Sequence, residues 1–170
     1  MKYDACVKTL ASSGGRALGA IIARFKISKG IGYNTFKKMY FSGVQPIVDY
    51  ASGVWGYVKG KEIDMIQNRA FRYFLGVNRF TPIAGMAGDM GWVSHTLGRY
   101  VCIARLWNRL IKMPDDRLTK KIFKWDREKS GGWCSEVKKI FDQLQLSACY
   151  NDNSICDQEY VKNRTKVIME

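Results

Sequence analysis

Apolar residues recur at spacings of three and four in block after block of this chain, and nowhere do they alternate over a run long enough for a half-buried strand. That period restricts the chain to helices packed on helices. It is clear from Lys61 to Leu75, where Ile63, Ile66, Ala70, Phe71, Phe74 and Leu75 make one greasy face. Arg69 and Arg72, three residues apart, can point the same way on another, cationic face. The longest uninterrupted pattern runs from Val93 to Met113. At about 100° per residue, Leu97, Tyr100, Ile103, Ala104, Trp107, Leu110 and Ile111 fall on one side, and Cys102, Arg105, Arg109 and Lys112 on the other.

Flanking segments follow the same rule. A helix from Asp4 to about Phe25 is expected, weakened or broken at Ser12-Ser13-Gly14-Gly15. Asn34 is placed to cap a helix opened by Thr35, which Pro46 should kink or end. Thr81-Pro82 reads as the start of a short helix to about Ala87, and GDMGW as a tight turn. Pro114 stops the long helix, and Asp115 or Asp116 caps the next. That helix is expected to turn Leu118, Ile122 and Trp125 inward and Lys120, Lys121, Lys124 and Arg127 outward. After a Ser-Gly-Gly break at 130–132, a further helix runs through WCSEVKKIFDQLQL. A last helix from about Gln158 carries Tyr160, Val161, Val167 and Ile168. The expected fold class is all-α, an irregular orthogonal bundle of about six to eight helices with no significant sheet.

The chain's 170 residues suffice to bury a core of their own, and an apolar fraction of 46% excludes a disordered tail. A formal net charge of +13 costs self-repulsion and makes sense opposite a polyanion, nucleic acid before an anionic membrane surface. The five cysteines form no CxxC pair, and neither a signal-peptide pattern nor an apolar run of membrane-spanning length is present. A reduced, intracellular setting is therefore expected, nuclear or cytoplasmic.

Chemistry is harder to place. Polymerase or nuclease activity requires clustered carboxylates for divalent metals, and the one adjacent pair, Asp115-Asp116, is better explained as a helix start. His95 is the lone histidine, at the first turn of the long helix, where exposure or capping is expected before catalysis. The spacings among Cys134, Cys149 and Cys156 fit no compact zinc motif, and Ser-Gly-Gly-Arg lacks the Gly-Lys-Ser/Thr ending of a phosphate loop. No catalytic residue, metal or cofactor is assigned. What remains is basic helices interleaved with aromatics: Arg69, Arg72 and Arg79 near Tyr73 and Phe80, and Arg99, Arg105 and Arg109 near Trp107. Lys112, Lys120 and Lys121 extend this candidate nucleic-acid-binding set. Arginines grip phosphates and exposed aromatics stack on bases, though Trp107 lies on the apolar side.

The blocks GRALGAIIARFK, YNTFKKMYFSGVQPIVDYASGVWG, IQNRAFRYFLGV, TPIAGMAGDMGW, RYVCIARLWNRLIKM and DDRLTKKIFKWD, in this order from Gly15 to Asp126, resemble the region after the catalytic palm in LINE-type, non-LTR retrotransposon reverse transcriptases. The resemblance implies a helical thumb and post-thumb segment over residues 1–129, which holds a template-primer duplex. Residues 130–170 would follow as a helical appendage, packed on it or loosely tethered. It makes Arg69, Arg72, Arg105 and Arg109 candidate backbone contacts. Fingers, palm and the palm's paired aspartates are missing, so polymerase activity does not carry over. The implied function is a non-catalytic module that binds RNA/DNA hybrid or duplex with low sequence specificity, with a palm supplied by another chain as a further partner and no membrane. The alternative is a protein-interaction or scaffold remnant without independent activity.

Overall fold

The computed structural model describes residues 3–169, with the side chains of residues 168 and 169 outside that description, Ile168 included. The fold is all-α, without a strand among the described residues, and eight of its helices span seven or more residues. No helix among these residues is long and apolar enough to cross a membrane. Contacts gather the chain into two units: residues up to Tyr50 with Lys59–His95, and Ala51–Val58 with Thr96 onward.

The first unit is built on α1 (Asp4–Ile27), packed against α2 (Tyr33–Gly43), α3 (Gln45–Val48) and α5 (Lys61–Leu75), with α6 (Ile83–Met90) against α5. The Ser-Ser-Gly-Gly run does not break α1, and a close approach explains its glycines. A Cβ on Gly14 would lie 2.3 Å from Val48 Cγ1 and 3.3 Å from Ile66 Cδ1, whereas one on Gly15 meets nothing within 4 Å. The adjacent Arg16 donates to Ser12 Oγ and Ser13 Oγ on its own helix. α2 ends at Gly43, short of Pro46, as the proline argument requires, and Pro46 sits in the first turn of α3, but α2 begins at Tyr33 with no side-chain cap from Asn34. Its core is aromatic: Phe36 stacks on Phe74 at 4.9 Å, and Tyr40 meets Trp92 at 4.6 Å. GDMGW is not a free turn, since α6 runs through Met90 and stops at Gly91 in the left-handed region.

The expected exposure of His95 is overturned: it is 3% exposed and closes this unit's core. Burial first, and then the charges of Asp49 and Asp64, push the Tyr40 hydroxyl's pKa up, so it stays protonated, and it shares a hydrogen bond with His95 Nε2 at 2.9 Å. On the other side of the ring, Nδ1 lies 3.4 Å from Asp49 Oδ1. The histidine is a packed core group.

The second unit surrounds α7 (His95–Lys112), with α4 (Ser52–Trp55), α8 (Leu118–Glu128), α9 (Trp133–Gln143), α10 (Ser147–Asn151) and α11 (Gln158–Met169). Gly53 lets α4 lie directly on α7, since a Cβ there would come 3.0 Å from the Cys102 carbonyl oxygen. The boundary expected at 129/130 does not coincide with this division. Cys134, Val137, Ile140, Phe141 and Val161 share one buried cluster with Ile103, Trp107 and Phe123. Trp107 is fully buried, stacked on Tyr150 at 5.2 Å, and donates through Nε1 to the Ser154 carbonyl at 3.1 Å. Beside it, the Asn108 amide donates to the Cys156 carbonyl at 2.7 Å and accepts the Cys156 N–H at 2.8 Å, clamping the link before α11.

The two adjacent glycines of α1 make opposite tests. Gly14→Ala is expected to destabilise by about 1–3 kcal/mol through overpacking, and Gly15→Ala to stabilise by about 0.5–1 kcal/mol through helix propensity. Urea unfolding of both variants checks the sign as well as the size.

Candidate nucleic-acid interface

Helix α7 carries no acidic residue, and with its apolar face buried around Trp107 its remaining side is cationic. Arg105, Arg109 and Lys112 are all exposed, succeeding one another by roughly 6 and 4.5 Å along the helix axis. None forms an ion pair with a described carboxylate; Arg105 alone is steadied, its Nε donating to Gln158 Oε1 at 3.0 Å. Two surface depressions flank the row. One of about 380 Å³ is lined by Val54, Cys102 and Leu106 together with Arg105 and Arg109. The other, about 450 Å³, is bordered by Arg109, Lys112 and Arg117, so Arg109 belongs to both.

Arg117 is the addition that sequence reasoning missed. The turn after Pro114, closed by the Arg117 N–H on the Pro114 carbonyl at 3.3 Å, brings it back toward the end of α7. The Pro-Asp-Asp turn was visible, but the direction of its return was not.

Two of the candidate cations are withdrawn from any ligand. Arg99 is 2% exposed, its guanidinium 5.9 Å from the Trp55 ring and donating to Thr96 Oγ1 at 3.0 Å. Lys120 is 8% exposed, and its ammonium donates to the Leu110 and Ile111 carbonyls at 2.8 and 2.9 Å. It caps the negative end of α7, whose last carbonyls have no partners within the helix. Anchoring Lys120 inward turns α8 by roughly half a revolution from the expected roll. Phe123 is buried and Arg127 reaches the core, 4.8 Å from the Tyr150 ring and donating to the Tyr150 carbonyl. Leu118, Ile122 and Trp125 face outward with Lys121. Asp115 caps nothing: it pairs with Lys124 at 2.8 Å, and that ammonium holds its carboxyl below the usual range.

The first unit presents its own cations. Arg69 is exposed on α5 and Arg72 half-buried. Arg79 lies 4.6 Å over the ring of Phe80, which is 77% exposed in a loop where Asn78 Oδ1 accepts the Phe80 N–H. Phe80 is therefore an exposed aromatic beside a cation, whereas Tyr73 is half-buried edge-on to Phe25 at 5.4 Å.

Among the described residues, no three His, Cys, Asp or Glu side chains group closely enough to hold a metal ion. Burial pushes the Cys134 and Cys156 thiols well up, and a neighbouring Asp126 and Cys149, respectively, add to it, so both stay protonated.

Lys120→Met is expected to lower stability by about 1.5–3 kcal/mol, the scale of hydrogen bonds from a charged donor, with no loss of nucleic-acid affinity per folded molecule. Urea unfolding beside a binding titration of the same preparation separates the two effects. No protein-family profile, curated protein sequence or solved structure matches the chain.

Proposed function

We propose that this chain is a non-catalytic nucleic-acid-binding module of the kind its blocks resemble, the thumb and post-thumb region of a non-LTR retrotransposon reverse transcriptase. It grips a duplex or RNA/DNA hybrid through phosphates. The observation that carries this reading is the row Arg105, Arg109, Lys112 and Arg117, exposed, without carboxylate partners and lining two depressions. A row of cations along a helix tracks a backbone and reads no bases, so affinity is expected to depend on salt and little on sequence. Arg69, Arg79 and the exposed Phe80 form a second set within their own unit, suited to phosphate and to an unstacked base. A polymerase palm supplied by another chain is the further partner proposed.

Replacing Arg105, Arg109 and Lys112 together by alanine should weaken duplex binding while leaving thermal unfolding nearly unchanged, since all three are exposed. The slope of log affinity against log salt should flatten by about two to three on B-form DNA, at roughly 0.9 for each phosphate the protein no longer neutralises. Fluorescence anisotropy across a salt series measures both quantities. Unchanged affinity and slope would remove the assignment.

A further inference from the structure

Helix α8 is built inside out. Its buried side carries Lys120, Phe123 and Arg127, while Leu118, Ile122 and Trp125, at spacings of four and three, form one stripe on its outer side. These three are 72%, 53% and 56% exposed. A single exposed apolar residue needs no explanation, but a stripe at helical spacing on an otherwise basic helix marks a contact surface. The roll is not loose: Lys120 on the end of α7, Arg127 on Tyr150 and Asp126 Oδ2 accepting the Cys134 N–H at 2.8 Å all hold the inner face in place.

We propose that this stripe docks an amphipathic helix of a partner protein whose apolar ridge is bordered by carboxylates. The charge around the stripe selects that occupant. Lys121 stands exposed on one flank and Lys129 at the far end, neither paired with a described carboxylate, with exposed Arg117 just before Leu118. Of the local acids, Asp115 is taken by Lys124 and Asp126 by the start of α9, leaving Glu128 on the helix and Asp116 in the turn before it against Arg117, Lys121 and Lys129. A second copy of this chain would bring the same lysines face to face, which like-charge repulsion opposes. Nucleic-acid bases fit the stripe poorly: Leu118 and Ile122 offer no ring, and the Trp125 ring is already covered by the Lys129 ammonium at 3.6 Å. An apolar ridge laid between Leu118, Ile122 and Trp125, with glutamates or aspartates meeting Lys121 and Lys129, satisfies both features.

Arg117 borders both this stripe and the cationic row on α7, but Leu118, Ile122 and Trp125 belong to the stripe alone, so a substitution at Ile122 tests it apart from the row. The probe is a helical peptide with leucines at alternating three- and four-residue spacing and glutamates on both flanks, titrated against the full chain. Its lysine-flanked counterpart is the control. The glutamate peptide is expected to bind at least tenfold more tightly than the lysine peptide and to lose at least tenfold in affinity on Ile122→Asp. It should lose as much on Lys121→Glu with Lys129→Glu; thermal unfolding should be unchanged in both variants, and duplex binding unchanged in Ile122→Asp, which removes no candidate nucleic-acid cation. Absence of saturable peptide binding, equal binding of the two peptides, or indifference to Ile122→Asp would overturn the proposal. So would dimerisation through the stripe in sedimentation, or its stronger capture by phosphatidylserine vesicles than by the peptide.

Discussion

The burial of one face of α7 around Trp107 is the constraint on which the second unit depends. Ile103, Ala104, Trp107 and Leu110 are buried, and Phe123, Phe141 and Tyr150 from three other helices close on the tryptophan. The Asn108 clamp on Cys156 fixes the chain entering α11 against the same helix. With that side committed, Arg105, Arg109 and Lys112 have nowhere to go but outward, and the absence of acidic residues from α7 leaves them uncompensated. The cationic row is a consequence of packing, and it is positioned by a rigid core.

The end of α7 governs α8. Its terminal carbonyls need donors, and Lys120 supplies three N–H groups from a side chain long enough to reach them. A lysine buried against a helix C-terminus is stabilised by the partial negative charge there. Satisfying it forces Leu118, Ile122 and Trp125 partly out, which forgoes a fraction of the roughly 1.5–3 kcal/mol that full burial of a large apolar side chain is worth. A fold that gives up this much apolar burial to cap a helix retains a surface able to recover it from a partner.

Helix positions were legible in the sequence because they follow from the spacing of apolar residues, which local chemistry alone decides. The outward set Arg105, Arg109 and Lys112 was legible for the same reason, on a helix with one dominant apolar face. Arg99 and Lys120 were not. Each is buried by a neighbouring element rather than by its own helix: Arg99 by the α4 turn, where a Cβ on Gly56 would come 3.0 Å from the Arg99 Cβ, and Lys120 by the end of α7 nine and ten residues earlier. A helical wheel places the largest apolar residues inside and has no term for a backbone carbonyl in need of a donor, so it inverted α8. The grouping of Ala51–Val58 with residues far along the chain was hidden likewise, because Gly53 shows its purpose only when α7 lies against it. His95 could be seen as a helix start, but not that Tyr40 and Asp49 would enclose it.

Whether nucleic acid contacts the proposed cationic row is the direct question. Photo-crosslinking of a halogenated-uracil RNA/DNA hybrid to the full chain, followed by peptide mapping, answers it residue by residue. Crosslinks should concentrate on the outer side of α7 and the turn after it, around Arg105, Arg109, Lys112 and Arg117, and fade as salt is raised. Salt-insensitive crosslinks, or crosslinks that leave this row untouched, would contradict the assignment.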